Sequence, residues 1–139
     1  MALLRWLLVC SIILLSCICK QALLDIPIGG RRDASPNDPG VHQALQFAMN
    51  EYNRGSNDAF SSRVSEVVRV RTQIVSGLKY YLNVKIGRTV CRKERKEVTD
   101  LENCAFHEQP KLAKTMTCNF VVYSIPWMNS ISLTSNECT

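Results

Sequence analysis

From Val67 to Gly87 the chain reads VVRVRTQIVSGLKYYLNVKIG, with apolar and polar residues alternating on both sides of the middle. A period of two predicts two half-buried strands. Val68, Val70, Thr72 and Ile74 face one way on the first, and Leu78, Tyr80, Leu82, Val84 and Ile86 repeat on the second. Pairing Ile74 with Leu78 sets Thr72 opposite Tyr80 and Val70 opposite Leu82, which leaves Val75, Ser76 and Gly77 as the loop. A three-residue hairpin loop commonly ends in a left-handed residue, and Gly77 supplies it without a Cβ clash. The tip carries Ile74 and Val75, where most hairpins would place polar residues.

Upstream the period becomes helical. Val41, Ala44, Leu45, Ala48 and Tyr52 recur at i, i+3, i+4 spacing, with Gln43, Gln46, Asn50 and Asn53 mostly elsewhere. Asp38 is the expected N-cap, Pro39 the first helical residue and Gly55 the C′ stop, so one amphipathic helix of about four turns is predicted. Residues 20–37, rich in Gly, Pro, Asp and Arg, are expected to be extended and mobile.

The first residues, MALLRWLLVCSIILLSCICK, place Arg5 ahead of an uncharged apolar run from Trp6 to Cys19. That run is too short for a membrane span and has the form of a secretory signal. Cys17 and Cys19 stand at −3 and −1 of a cut before Lys20. LLSC also resembles a bacterial lipoprotein box, but nothing downstream supports that reading. The expected organisation is a signal over 1–19 and one secreted domain over 20–139, with no membrane contact in the mature form.

Cleavage changes the cysteine count. Of seven cysteines, Cys91, Cys104, Cys118 and Cys138 remain in the mature chain. Four in a small secreted domain read as two disulfides; three pairings exist, and locality favours Cys91–Cys104 and Cys118–Cys138. If Cys118 faces Cys138 across antiparallel strands, Tyr123 lies opposite Leu133 and Ile125 opposite Ile131. The tip then falls in PWMNS, Pro126 to Ser130, and a bulge would move it by one residue only. One helix against an antiparallel sheet of four or five strands is an α+β fold.

Charge changes the picture little. The formal charge of +5 falls to +4 without Arg5, and RKERKE, Arg92 to Glu97, mixes both signs as a solvated loop does. A heparin or nucleic-acid patch is the weaker reading of that run, and no nucleic-acid partner is expected. No metal site, cofactor or catalytic set is expected either. The competing enzyme reading is a small basic ribonuclease using His42 and His107 as acid and base. The expected Cys-Lys-x-x-Asn-Thr-Phe run is absent, and His42 falls on the opening turn of the helix.

Taken alone, QIVSG reads equally as a tight turn whose Val75 tucks back onto the sheet, and Trp127 as a core or lid residue. Together the two apolar tips point to a binding edge. Val75 cannot easily reach a core from a three-residue loop, Pro126 stiffens its neighbour, and Trp is favoured as an interface anchor.

At these residues the sequence resembles the cystatins, most closely the secreted two-disulfide branch of egg-white cystatin and cystatin C. QIVSG, Gln73 to Gly77, fits their Q-x-V-x-G signature, and Pro126-Trp127 their second-loop pair. Gly29-Gly30 is like their N-terminal glycine, ALQFAMNEYNRGSND is similar to their helix, and the four cysteines match in order. The resemblance spans about 115 of the 120 residues that follow the signal. It implies a cystatin-like fold and a reversible inhibitor of papain-like cysteine proteases such as cathepsins, without enzymatic activity of its own. By matching positions, Gly29 is the pivotal glycine and Pro27 and Ile28 lie in the non-primed subsites. Gln73, Ile74, Val75, Ser76 and Gly77 enter the cleft beside the thiolate, and Trp127, after Pro126, packs on the primed side.

The resemblance implies a second site as well. Ser56, Asn57 and Asp58 are similar to the family's legumain-binding loop, with Asn57 imitating the residue that enzyme recognises; the plain alternative is a helix-to-strand turn. The runner-up function is a non-inhibitory, cathelin-like binding module, but such relatives typically lack an intact Q-x-V-x-G. A monomer is expected, able to exchange its first hairpin between two chains, with strain at Val75 as the store of energy. Two departures stand out: a longer, more charged Cys91–Cys104 interval, and Arg31-Arg32, where a trypsin-like protease would remove the trunk.

Overall fold

The computed structural model of the protein describes residues 2–21, 29–93 and 101–139. Two compact units result, Met1–Gly30 and Arg31–Thr139. In the first, the apolar run forms helix α1, Ala2–Gln21. Among the described residues no helix is long and apolar enough to cross a membrane. Pro27, Ile28 and residues 94–100, with most of the RKERKE run, lie outside the described residues.

Among its described residues the second unit is a sheet with one α-helix. Its elements are β1 (Arg32–Asp33), α2 (Pro39–Gly55), β2 (Phe60–Val75), β3 (Gly77–Arg92), β4 (Thr115–Ile125) and β5 (Ser130–Cys138). The five strands follow chain order and every neighbouring pair is antiparallel. The α+β expectation holds, with the sheet at five strands because Arg32 and Asp33 pair with Thr72 and Arg71. Two residues are too few to show a period, which is why this stretch reads as irregular in the sequence.

Helix α2 starts as its sequence predicts. The Asp38 carboxylate accepts from the Gly40 N–H at 2.8 Å, satisfying one of the donors that a helix start leaves open, and Pro39 follows at the first position. Its end differs from expectation: Gly55 stays helical, and Ser56, in an extended conformation, closes the helix with its N–H on the Tyr52 carbonyl. Tertiary bonds set this end. The Asn53 amide bonds both the N–H and the carbonyl of Ser62, and Lys93 Nζ donates to the Ser56 carbonyl at 2.8 Å.

The helix buries Val41, Ala44, Leu45, Ala48 and Met49 against Val70, Leu82, Val84, Ile86, Phe120 and Val122 of the sheet. Leu82, Val84, Ile86, Phe120 and Val122 are almost fully buried, each contributing about 1.5–3 kcal/mol. The first-hairpin register is the expected one, with Ile74, Thr72 and Val70 opposite Leu78, Tyr80 and Leu82. Val68 is a correction. The register shifts between Val67 and Arg69, and Val68 is exposed while Val67 packs on the core. A bulged residue reverses the alternation behind it and adds twist, which lets a long strand wrap a helix.

Both disulfides join the pairs that locality favours, Cys91–Cys104 and Cys118–Cys138. From Cys118–Cys138 the register runs as expected to Val121–Ser135, then shifts by one. Tyr123 therefore faces Ser132 rather than Leu133, and Ile125 faces Ser130 rather than Ile131. Thr134 is the additional residue, and its hydroxyl donates back to the Val121 carbonyl at 3.2 Å.

Candidate functional site

The sheet brings the two apolar tips to one end. Leu78 pairs with Ser124, so the start of β3 lies beside the end of β4, and each leads directly into its own turn. Gly77 is the contact between them. Its φ is +119°, and a Cβ there would stand 2.5 Å from the Ser124 carbonyl oxygen and 3.2 Å from Ile125. The Tyr123 hydroxyl donates to the Ser76 carbonyl, tying the second hairpin to the first tip. From β3 the Tyr81 hydroxyl donates to Gln73 Oε1 at 2.7 Å.

Ile74 is 66% exposed and Val75 39%, so Ile74 is the more open of the two. The lengths of the elements explain this. Ile74 shares the helix side of β2 with Val70, but α2 is about 25 Å long against about 50 Å for the strand. The sheet outruns the helix, and the last apolar residue on that face is left uncovered by α2. Val75 has no positive φ; the only non-glycine residue with one, among the described residues, is Asn129. The positive φ of the first tip thus falls on Gly77 rather than on Val75.

The second tip is a single 3₁₀ turn, Pro126–Met128, closed by Asn129 at φ 51° with its N–H on the Pro126 carbonyl at 3.1 Å. Asn tolerates the left-handed region better than other side-chain-bearing residues. Trp127 is 72% exposed and Met128 66%, so a thioether extends the apolar surface of the indole. Met128 and Asn129 fall within the expected PWMNS tip but outside the Pro126-Trp127 pair, and the exposed Ile131 of β5 extends the apolar surface beyond it. In the other unit Gly29 adopts φ +84°, a conformation that suits glycine.

Asn57 stands at the other end of β2. It is exposed between two anchored neighbours, Ser56, whose hydroxyl accepts from the Asp58 N–H, and Asp58 itself. The Asp58 carboxylate accepts from the Phe60 N–H at 3.0 Å and from Arg88 Nε at 2.7 Å. Partial burial alone would raise the Asp58 carboxyl, but the Phe60 N–H and the Arg88 guanidinium outweigh it and hold it below its ordinary 3.8. A group depressed in the folded state adds stability above its unfolded value and loses it as pH falls through the folded one. Asp58→Asn is therefore expected to lower the melting temperature at neutral pH and to flatten its decline between about pH 5 and pH 2. Thermal melts across that range test it, and parallel curves would remove this ion pair from the acid response.

The histidines contact different neighbours. His42 lies beside Gln46 and Glu102, whereas His107 packs edge-on against Phe60. No group of His, Cys, Asp or Glu suited to a metal occurs among the described residues.

A family model described as the cystatin domain matches residues 29–127. The curated protein Cystatin-2 of Crotalus adamanteus is 69% identical over 139 residues, spanning the whole of both chains. Cystatin-C of Oryctolagus cuniculus is 52% identical over 111 residues, 80% of this chain and 73% of its own. Among solved structures, dimeric human cystatin F superimposes with a TM-score of 0.72 at 33% identity, covering 84% of this chain and 91% of that one.

Proposed function

Since the chain belongs to the cystatin family, we propose that it is a secreted, reversible, tight-binding inhibitor of papain-like cysteine proteases such as cathepsins. The observation that carries this reading is the pairing of Leu78 with Ser124, which sets the exposed tips Ile74–Val75 and Trp127–Met128 side by side. A papain-like enzyme works through a thiolate in an open cleft. Two preformed hairpins can fill such a cleft with backbone and apolar side chains without presenting a scissile bond to the thiolate. Little conformational entropy is lost, because Gly77, Tyr123 and the Pro126 turn already hold the tips. A standard interface of this kind buries on the order of 1,600 Å².

In this reading Gln73 to Gly77 lie beside the thiolate, Pro126 and Trp127 occupy the primed side, and Pro27, Ile28 and Gly29 extend into the non-primed subsites. The intact Q-x-V-x-G at an exposed tip favours inhibition over a non-inhibitory binding module. The apolar α1 serves as the signal, cut before Lys20, and the two disulfides suit an oxidising extracellular compartment. The inhibitor acts as a monomer. Hairpin exchange into a dimer is a side route.

Asn57 provides a second inhibitory site, for legumain, at the end of β2 away from the tips. Titration of papain, several cathepsins and legumain with monomeric protein tests both. Tight inhibition of papain is expected, and its absence would overturn the main reading. Asn57→Ala is expected to abolish legumain inhibition and to leave papain inhibition within about twofold, as an exposed substitution far from the tips should. Loss of both would mean damage to the fold instead of a separate site.

A further inference from the structure

Tyr81 lies on β3 opposite Arg71 of β2 and Val121 of β4, on the sheet face turned away from Leu82 and the helix. Its two ends engage different parts of the molecule. The hydroxyl donates to Gln73 Oε1 at 2.7 Å, at the root of the first tip. The ring carries the Arg31 guanidinium, whose central carbon is 3.8 Å from the ring centroid. Arg31 is the residue that follows Gly29-Gly30, and its neighbour Arg32 pairs with Thr72, next in sequence to Gln73. Asp33 then pairs with Arg71 and bonds Arg69 Nε at 3.0 Å. The base of the N-terminal segment and the root of the first loop thus share one phenol.

We propose that Tyr81 is a positioning residue that couples the N-terminal segment to the first loop, its hydroxyl holding Gln73 and its ring holding Arg31. The effect on inhibition rests on the reading above; the hold on Arg31 does not. A loop root fixed by a hydrogen bond presents one conformation to the cleft, so less ordering remains to be done on binding. The stacked guanidinium fixes Arg31 on the sheet face, directly ahead of β1. It also shields the Arg31-Arg32 pair, because a trypsin-like protease must draw an arginine into its own pocket and peel β1 from β2 before cutting.

The two grips are separable by substitution. Tyr81→Phe removes the hydroxyl and keeps the ring, whereas Tyr81→Leu removes both. Tyr81→Phe is expected to weaken papain inhibition roughly three- to tenfold, the value of one hydrogen bond, and to lower the melting temperature by only a few degrees. Nicking by trypsin after Arg31 or Arg32, followed by mass spectrometry, should stay at the wild-type rate. Tyr81→Leu should speed that nicking about two- to fivefold, the value of one exposed cation–π contact. Arg31→Ala should weaken inhibition in the wild-type background and have no further effect beside Tyr81→Leu, a non-additivity that plain destabilisation would not produce.

Inhibition by Tyr81→Phe within twofold of wild type would overturn the Gln73 grip, and equal nicking of Tyr81→Leu and Tyr81→Phe would overturn the Arg31 grip. Because Tyr81→Phe preserves the packing, it keeps the inhibition arm decisive even where Tyr81→Leu lowers the melting temperature. Failure of the wild-type protein to inhibit papain at all would instead count against the inhibitor reading, and the nicking rates alone would then decide.

Discussion

Trp127→Ala is expected to raise the inhibition constant for papain at least about thirtyfold, almost entirely through faster dissociation. The magnitude follows from what the side chain does in the free protein. Trp127 is 72% exposed, so most of its area is left open for a partner to bury. A large indole that a cleft can desolvate is the residue type that dominates interfaces, commonly by 2 kcal/mol or more. Pro126 and the left-handed Asn129 hold the turn on either side, and little entropy is spent in presenting the ring. Encounter is set by diffusion and orientation, so the loss falls on the lifetime of the complex. The melting temperature should not change, since substitution at an exposed tip removes no core contact. Stopped-flow association and dissociation rates with a parallel melt measure all three quantities. An unchanged inhibition constant would remove Trp127 from the site.

Gly77→Ala should damage stability and inhibition together. The added Cβ would meet the Ser124 carbonyl oxygen at 2.5 Å, a backbone atom of a paired strand that cannot turn aside. At φ +119° an alanine is strained besides. Backbone strain and overpacking each cost about 1–3 kcal/mol, so a loss of roughly 2–6 kcal/mol in unfolding free energy is expected. Relief comes from parting β3 from β4 at the end where both tips are mounted. Inhibition should therefore weaken by more than tenfold, about 1.4 kcal/mol, even below the melting temperature. Gly55→Ala is the control. Gly55 sits in the last turn of α2 without a positive φ, and a Cβ there meets nothing within 4 Å. It should gain about 0.5–1 kcal/mol from the lower chain entropy of alanine and leave inhibition alone. Denaturant unfolding and papain titration of both variants separate the cases; a normal inhibition constant for Gly77→Ala would show that the tips do not depend on this contact.

Much of the site was legible because short-range rules determine it. A period of two set the register of the first hairpin, and Gly77 marked where it turns. Sequence proximity of Cys118 and Cys138 paired β4 with β5 and placed the second tip at Pro126-Trp127. The Asp38-Pro39 start of the helix was equally local. What escaped was decided by partners distant in sequence. The bulges at Val68 and Thr134 arise from how far a twisted sheet must bend around α2, and alternation counted along one strand cannot report that. Gly55 read as a stop, but Asn53 with Ser62, and Lys93 with Ser56, set the end of the helix. Tyr81 and Tyr123 looked like ordinary strand-forming residues, since a phenol's partner is visible only once strands are side by side.

The sequence by itself determined that two hairpins of this protein end in apolar turns, because alternation, glycine and cysteine spacing act over a few residues. Only the tertiary structure decided that the tips share one edge and that Ile74 is the more open residue of its pair. Strand pairing across β3 and β4 joins the tips, and a helix about half as long as the strand it covers leaves Ile74 bare. Both are consequences of lengths and contacts that no local pattern records.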